Sequence, residues 1–308
     1  MSGAPSRRAR WTLDDMPDLT GRVALITGAN SGLGLQITKD LAANGARVVL
    51  ACRNEAKASA AIAEVLATSP RGTVEFLALD LGDLASVARA AEEFSSRSDR
   101  LDILGNNAGL MATDESRTAD GFEMQFGVNH LGHFALTGHL LPLLLATPDS
   151  RVVNHSSIGH RPGVMNLRDP NFEHRRYRPW VAYFQSKLAN LLFTEELQRR
   201  LTAAGSSTIA VAAHPGGTRT DLGAEGSGWL NRLALLAAPL WGQHVSVGAL
   251  PFVRAATDPT ARGGDYYGPR WFVRGRPVPE TPSKRARDVD RAGRLWTLSE
   301  QLTGVDWL

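Results

Sequence analysis

A tyrosine and a lysine four residues apart carry the clearest chemistry in this sequence. Tyr183 and Lys187 lie in a segment with helical character, and this spacing places two side chains on one helix face, about 5–6 Å apart at Cβ. An ammonium beside a phenol favours the phenolate and lowers the pKa of the phenol. An unperturbed tyrosine titrates near pH 10, so action as a base at neutral pH needs a shift of about 3 units, roughly 4 kcal/mol. The pair indicates acid–base chemistry if a ligand site lies elsewhere, and otherwise two unrelated surface residues.

Short apolar runs alternate with helical patterns along most of the chain. This alternation predicts one α/β domain, a doubly wound parallel sheet (Rossmann fold) with helices on both faces. The predicted strands are 22–27, 46–51, 74–79, 101–104, 151–155 and 208–213, with the start of a seventh at 265–267, and the predicted helices are 33–43, 55–67, 84–94, 121–146 and 183–202. Ligands of such sheets bind beyond the carboxyl ends of the strands. Every candidate site residue falls at such an end.

The end of the first predicted strand carries a glycine-rich turn. Residues 27–34 read Thr-Gly-Ala-Asn-Ser-Gly-Leu-Gly, between that strand and the first predicted helix. Glycines permit a tight turn and let backbone N–H groups approach a pyrophosphate at a helix N-terminus. A plain loop is the alternative, but the position in an alternating chain favours a dinucleotide site. The residues predicted to line it are Gly28, Asn30, Ser31, Gly32, Leu33 and Gly34.

The end of the second predicted strand distinguishes two dinucleotides. An NAD site usually has an acidic residue there, which binds the ribose 2′-hydroxyl. Here Cys52 and Arg53 follow the strand, and neither is acidic. Arg53 can form a charge-assisted contact with a 2′-phosphate, so the sequence predicts a preference for NADP(H), with NAD(H) also accepted. A plain surface arginine is the alternative in this arginine-rich chain.

Composition and charge limit the classes of function. The 308 residues are 43% hydrophobic and 21% charged, which suits one large globular domain. The net charge is only +3, and we therefore expect no nucleic-acid partner. Cys52 is the only cysteine, which excludes an intramolecular disulfide and suits a reducing cytoplasm, the expected location.

The two ends of the chain are expected to differ from the central domain. Arg7, Arg8 and Arg10 have no apolar run behind them, so residues 1–16 predict a disordered tail and not a signal peptide or a membrane span. Residues 17–308 are predicted to form the single domain. Within it, residues from about 217 to 250 form a candidate substrate lid, and residues from about 270 to 308 form a C-terminal extension.

Several short motifs together make the chain resemble the short-chain dehydrogenase/reductase family, over residues from about 19 to 270. They are Thr27–Gly34, Asp80-Leu81, Asn106–Gly109, Asn129, Ser157, the pair Tyr183 and Lys187, and Pro215-Gly216. Within the family, residues 51–54, 129–134 and 186–190 resemble the branch of retinol dehydrogenases and light-dependent protochlorophyllide reductases. The segment 295–300 resembles the ends of bacterial members of that branch.

The resemblance implies an NADP(H)-dependent oxidoreductase that moves a hydride between a nicotinamide and an alcohol or carbonyl group. Tyr183 would be the acid or base, Ser157 would hydrogen-bond the substrate oxygen, and Lys187 would bind the nicotinamide ribose. Asn129 would hold a water that relays protons. The remaining implied cofactor contacts are Asp80 and Leu81 at the adenine, Asn107, Ala108 and Gly109 at the adenine ribose, and Pro215, Gly216, Thr218 and Thr220 at the carboxamide.

Some residues depart from the family pattern or suggest other chemistry. His155 and Gly105 stand where aliphatic residues are usual, and Thr218 replaces a usual valine, so local geometry is in question at these positions. His130 and His133 lie three apart on a predicted helix, but they lack a partner with metal-ligand spacing, so we expect core or capping roles and no metal. Cys52 is predicted at the adenosine end, which disfavours a mechanism that needs a pocket cysteine.

Substrate and assembly are the least determined features. Residues 228–250 are richly apolar and contain Trp229, Leu233, Leu235, Leu236, Trp241 and Val245; as a lid they would imply a lipophilic alcohol, ketone or aldehyde, and otherwise they are packed helix. The helices 121–146 and 183–202 could pair in a homodimer or homotetramer, as in the family, unless the C-terminal extension covers them. A rival hypothesis is a catalytically silent nucleotide sensor or scaffold on the same fold.

Overall fold

The computed structural model describes residues 11–218 and 242–307. Within them, eight strands form one sheet with the order β3-β2-β1-β4-β5-β6-β7-β8. The strands are β1 Val23–Thr27, β2 Arg47–Cys52, β3 Thr73–Ala78, β4 Ile103–Asn106, β5 Arg151–His155, β6 Ile209–Ala213, β7 Tyr266–Pro269 and β8 Pro277–Glu280. Neighbouring strands are parallel except β7 and β8, which are antiparallel. The predicted doubly wound α/β sheet is confirmed.

Helices cover both faces of this sheet. They are α1 Gly32–Ala43, α2 Glu55–Leu66, α3 Leu84–Arg97, α4 (Met124–Phe126, Gly127–Leu131 and Gly132–Ala146), α5 Pro179–Ala203, α6 Val245–Thr257 and α7 Val289–Thr303. One face packs against α1, α2 and α6, and the other against α3, α4 and α5. The central strands are apolar, as expected for strands that are buried on both faces, and all five residues of β1 are buried.

The fourth helix differs from its prediction at its start. Residue 121 was predicted to begin it, but Gly121 has a φ of 84°, which a helix does not accept. Glu123 instead caps the N-terminus, and its carboxylate accepts from the N–H groups of Gln125 at 2.9 Å and Phe126 at 2.7 Å. Gly127–Leu131 then form a widened π-helical turn. This turn contains Asn129, and such turns are frequent at functional sites.

The prediction of a disordered tail is wrong for residues 11–16, the part of the tail that the structure describes. Trp11 and Met16 are buried and join Leu19 in the core that packs against α1. A capping box between Thr12 and Asp15 orders the turn between them. The prediction failed because it was based on the arginines that precede this segment. It did not take into account that a tryptophan and a methionine stabilise a segment when they are buried. Residues 1–10 lie outside the described part of the chain.

The C-terminal extension packs onto the domain. Helix α7 lies against α5, and Trp296 joins Phe134, Phe193 and Trp307 in one aromatic cluster. This places α7 over helices that were expected to pair with a second copy, so the structure gives that pairing no support. No helix in residues 11–218 and 242–307 combines the length and apolar character that a bilayer span needs.

Candidate active site

One cleft of about 1230 Å³ opens at the carboxyl ends of the strands. Most of the predicted site residues line it. They are Gly28, Asn30, Ser31, Gly32, Leu33, Gly34, Arg53, Asp80, Leu81, Asn107, Ala108, Gly109, Ser157, Tyr183, Lys187, Pro215, Gly216 and Thr218. Asn129 is buried behind the cleft. Thr220 and most of the predicted lid, including Trp229, lie outside the described residues.

The glycine-rich turn forms a surface of backbone at one end of the cleft. Gly28 has a φ of 63° and Gly32 a φ of 52°, conformations that favour glycine. A Cβ on Gly34 would lie 2.3 Å from the Gly28 carbonyl oxygen, so the helix and the turn pack too closely for a side chain. Ser31 begins α1 without a side-chain cap on the helix. The first N–H groups of α1 are therefore available to an anion.

Charged side chains lie beside the turn, at the end of β2. Arg53 is 76% exposed, and its Nη1 lies 3.9 Å from Asp80 Oδ2. The other Asp80 oxygen accepts from the N–H of Gly82 at 2.9 Å. Lys57 lines the same part of the cleft and is exposed, in the first turn of α2. We did not predict Lys57 as a contact, because Arg53 lies before α2 and no helical spacing links the two residues.

Cys52 supports the glycine-rich turn through hydrogen bonds with the backbone of the turn. It is buried, and its sulfur accepts hydrogen bonds from the backbone of Ala29 and Asn30. Burial raises the pKa of this thiol to about 11, so the thiol is neutral at pH 7. Its position at the end of β2 agrees with the expectation that it does not take part in chemistry at the far end of the cleft.

Tyr183 and Lys187 project from α5 at the other end of the cleft. The Tyr183 hydroxyl is hydrogen-bonded to the Ser157 side chain, and Lys187 Nζ lies 5.9 Å from the centroid of the Tyr183 ring. Burial raises the pKa of Tyr183 to about 12, while the Ser157 hydrogen bond opposes this rise. The lowering that we expected from Lys187 is therefore not found, because burial has the larger effect. Burial also lowers the pKa of Lys187 to about 8.

Asn129 connects α4 to the loop after β4. Its Oδ1 accepts from the N–H of Leu110 at 2.7 Å, and its Nδ2 donates to the Leu110 carbonyl at 2.9 Å and to Ser186 Oγ at 2.9 Å. A Cβ on Gly109 would lie 3.2 Å from Asn129 Oδ1 and 3.1 Å from Lys187 Nζ. These bonds use both hydrogens of Nδ2 and one of the two lone pairs of Oδ1, so Asn129 could bind a relay water only as an acceptor, through Oδ1 or its backbone carbonyl.

His155, which departs from the family pattern, braces the centre of the cleft. Asn107 Nδ2 donates to the Thr27 carbonyl at 2.8 Å, so Asn107 Oδ1 is the acceptor for His155 Nδ1 at 2.9 Å. Burial first, and then the charge of Lys187, lower the pKa of His155 to about 3, and the ring is neutral. The His155 carbonyl accepts from Lys187 Nζ at 3.2 Å. This histidine therefore holds two candidate site residues in place.

A second buried histidine supports the Pro215-Gly216 turn. His214 Nδ1 accepts from the N–H of Gly216 at 3.2 Å, so its Nε2 carries the proton that Glu280 Oε1 accepts at 3.2 Å. A Cβ on Gly268 would lie 2.0 Å from His214 Nε2, so the ring packs directly on the backbone of β7 at this glycine. We did not predict this contact, because Glu280 lies 66 residues further along the chain than His214 and no local pattern links them.

The histidines His130 and His133 have partners inside the protein. His130 Nε2 contacts Ser299 Oγ at 2.8 Å, and its ring stacks on Phe126. His133 contacts Thr27 Oγ1 at 2.8 Å and the Asn129 carbonyl at 3.1 Å. Among the described residues no group of three His, Cys, Asp or Glu side chains could hold a metal ion.

Comparison with known proteins finds one family along most of the chain. The profile described as short chain dehydrogenase matches residues 22–230. Human retinol dehydrogenase 12 is 39% identical over 297 residues, which cover 94% of this chain and 88% of that protein. Human retinol dehydrogenase 13 is 37% identical and covers 94% and 86%. The crystal structure of an uncharacterised protein from Mycobacterium paratuberculosis is 46% identical, with a TM-score of 0.81 over 97% of this chain and 99% of that one.

Proposed function

The chain belongs to the short-chain dehydrogenase/reductase family, in the branch that contains retinol dehydrogenases, and is an oxidoreductase acting on CH–OH or C=O groups; from this premise we propose that it uses NADP(H) on a lipophilic substrate, with Tyr183 as the general acid or base. The observation that carries the proposal is the shared cleft. It joins a glycine-rich anion site to Ser157 and to the buried Tyr183 and Lys187.

The residues of the cleft fit a dinucleotide. The glycines let the turn pack closely on α1 and on Ala108, and the open N-terminus of α1 suits a pyrophosphate. Arg53 and Lys57 provide two exposed cations for a 2′-phosphate, and Asp80 provides a carboxylate at the adenine end. Lys187 and the Pro215-Gly216 turn would hold the nicotinamide end. The nicotinamide itself would supply or accept the hydride.

Tyr183 is in the correct state to donate a proton. With its pKa raised to about 12, its hydroxyl is protonated at pH 7, which suits the reduction of a carbonyl group. Ser157 accepts from the N–H of Gly159 at 3.1 Å and can orient a substrate oxygen beside Tyr183. Together these hydroxyls would stabilise the developing alkoxide before protonation. Oxidation would require the Lys187 charge, or a bound cation, to lower the pKa of Tyr183.

The proposed lipophilic substrate rests on the wall of the cleft and on the relatives. Leu110, Met111, Met124 and Val128 line the cleft with apolar side chains. The similar proteins are named for retinol, an apolar alcohol. A binding pocket that is mostly apolar with a few polar groups orients such a substrate by its single oxygen.

The experiment is turnover with a panel of lipophilic ketones, aldehydes and alcohols. Tyr183→Phe should abolish turnover but retain cofactor affinity, because it removes the proton donor and no ribose contact. Lys187→Ala should reduce both the rate and cofactor binding. Tyr267→Phe is the matched control, since it removes a hydroxyl on β7 that donates to Asp265, outside the cleft. Near-normal turnover by Tyr183→Phe would refute the assignment, and cofactor binding with no turnover of any substrate would favour the silent sensor.

A further inference from the structure

The loop between β7 and β8 exposes an unusual run of apolar side chains. We call residues 270–276 the hairpin tip. Its centre is Trp271, Phe272 and Val273, which are 66%, 52% and 40% exposed. Single exposed apolar residues are ordinary, but three consecutive ones at the apex of a hairpin form a patch that marks an interaction surface.

Arginines surround this apolar centre. Arg270, Arg274 and Arg276 are exposed, and within the described part of the chain none of them forms an ion pair with a carboxylate. Arg270 lies 5.9 Å from the Trp271 ring centroid, and Arg161, from the loop after β5, lies 5.1 Å above the Phe272 ring. The tip therefore combines an aromatic apex with a dense positive charge, although the whole chain carries a net charge of only +3.

The backbone of the tip holds the apex in this exposed position. Phe272 has a φ of 58°, which is rare for a bulky residue and is retained only where the surroundings enforce it. The Arg270 N–H donates to the Arg276 carbonyl at 2.9 Å, and the Gly217 N–H donates to the Val273 carbonyl at 2.7 Å. The last bond joins the tip to the Pro215-Gly216 turn, at the nicotinamide end of the cleft.

We propose that the hairpin tip docks on the surface of an anionic lipid bilayer. Tryptophan favours the headgroup region of a bilayer, phenylalanine and valine gain from burial just below it, and each nearby arginine is attracted to anionic headgroups. Single-stranded nucleic acid would need a groove with stacking faces, whereas this apex is convex and includes an aliphatic side chain. If the proposed function holds, docking would present the cleft to an apolar substrate dissolved in the membrane.

The test is cosedimentation of the full chain with vesicles. One set contains phosphatidylcholine alone, and the other contains equal parts of phosphatidylcholine and phosphatidylglycerol. We expect binding to the anionic set, weakened by salt. Arg274→Glu should lower the association constant about 25-fold, because one arginine near such a surface contributes about fivefold and the reversal counts twice. Trp271→Ser should lower it about tenfold.

Two controls match these changes away from the tip. Arg89→Glu makes the same charge change on α3, and Leu66→Ser removes an apolar side chain that is 52% exposed at the end of α2. Both should bind vesicles like the wild type. Equal binding of the tip variants and the control variants would overturn the proposal. So would wild-type binding to neutral vesicles alone, or to a single-stranded oligonucleotide instead. Because no cofactor or substrate is added, failure of the proposed catalysis would leave this result unaffected.

Discussion

Arg53 is the residue on which the proposed preference for NADP(H) depends. A charge-assisted hydrogen bond to a phosphate contributes about 1.5–3 kcal/mol, or about 10- to 150-fold in the dissociation constant. Arg53→Ala should weaken NADPH binding near the lower end of this range, because the side chain is 76% exposed and Lys57 remains. NADH binding should change much less. Titration of both cofactors measures the effect, and a wild type that binds NADH as tightly as NADPH would contradict the proposal.

Cys52→Asp tests the same preference from the neighbouring position. A carboxylate there would accept from the NADH ribose and repel a 2′-phosphate, so the preference should shrink or invert. Cys52→Ser is the matched control. It keeps a small neutral group that can accept from the Ala29 and Asn30 N–H groups, so it should keep the wild-type preference.

Sequence reasoning predicted many of the residues that line the cleft, but not the residues that hold them in place. Gly28, Asn107 and Tyr183 were predicted because each lies in a short motif with its own chemical meaning. The brace through His155 could not be predicted, since it depends on an amide orientation that only the packed structure fixes. The pKa of Tyr183 was predicted in the wrong direction for the same reason, because burial is a property of the whole fold.

Strand β8 supports the Pro215-Gly216 turn, at the proposed nicotinamide end of the cleft, through the carboxylate of Glu280 and the ring of His214. Glu280→Ala should leave His214 Nε2–H buried without its acceptor, and the ring could then release the Gly216 N–H. Loss of one hydrogen bond of this kind corresponds to about 1 kcal/mol, so we expect cofactor affinity to fall about fivefold. Titration of the cofactor against the variant gives the result.

The variant Glu280→Gln distinguishes a role of Glu280 in positioning His214 from a general loss of stability. Glutamine keeps a side-chain oxygen that can accept from His214, so it should restore most of the affinity that Glu280→Ala loses. Thermal unfolding of both variants shows whether the protein remains folded. If glutamine and alanine weaken cofactor binding equally while both proteins stay folded, the carboxylate does not act through His214.

At the scale of helices and strands, the predictions succeeded where the pattern of apolar residues was clear. Strand β5 was predicted with its observed bounds, 151–155, and helix 55–67 ended one residue from the observed Glu55–Leu66. Strand β8 was missed because Pro277-Val278-Pro279-Glu280 is too short and rich in proline to read as a strand. It exists because it pairs with β7 at the edge of the sheet, a contact that local sequence does not encode.

The stability of the whole molecule should depend on pH through its buried histidines. Burial lowers the pKa of His130, His133 and His155 to about 3 each and that of His160 to about 4. Since an unfolded histidine titrates near 6.5, the unfolded chain binds more protons below that pH. The stability from these groups is therefore complete above about pH 6.5 and is lost as the pH falls towards 3. Asp40, whose pKa burial raises to about 6, opposes the loss by one proton.

The expected net uptake on unfolding is about three protons near pH 5, four from the histidines less one from Asp40, which gives a slope of about 4 kcal/mol per pH unit. Urea unfolding at several pH values between about 7.5 and 5 measures this slope. The upper limit is about one pH unit above the pKa of an unfolded histidine, and the lower limit is about two units above the pKa of the most strongly shifted buried histidines. His130→Phe keeps a ring against Phe126 and should reduce the slope by about 1.4 kcal/mol per pH unit. An unfolding free energy that does not change over this range would show that these rings are not buried as neutral groups.

The C-terminal extension should contribute to the core of the molecule. Trp296 is buried, lies 5.1 Å from the Phe134 ring and 4.4 Å from the Trp307 ring, and its Nε1 donates to Glu300 at 2.6 Å. Trp296→Ala should lower the free energy of unfolding by about 3–5 kcal/mol, because it leaves a large cavity. Trp271→Ala, the same change at an exposed position, should stay within about 0.5 kcal/mol of the wild type. Denaturant unfolding compares the two. Equal stability of both variants would mean that α7 contributes little to the stability of the core. The covered faces of α4 and α5 would then again be available for pairing with a second copy.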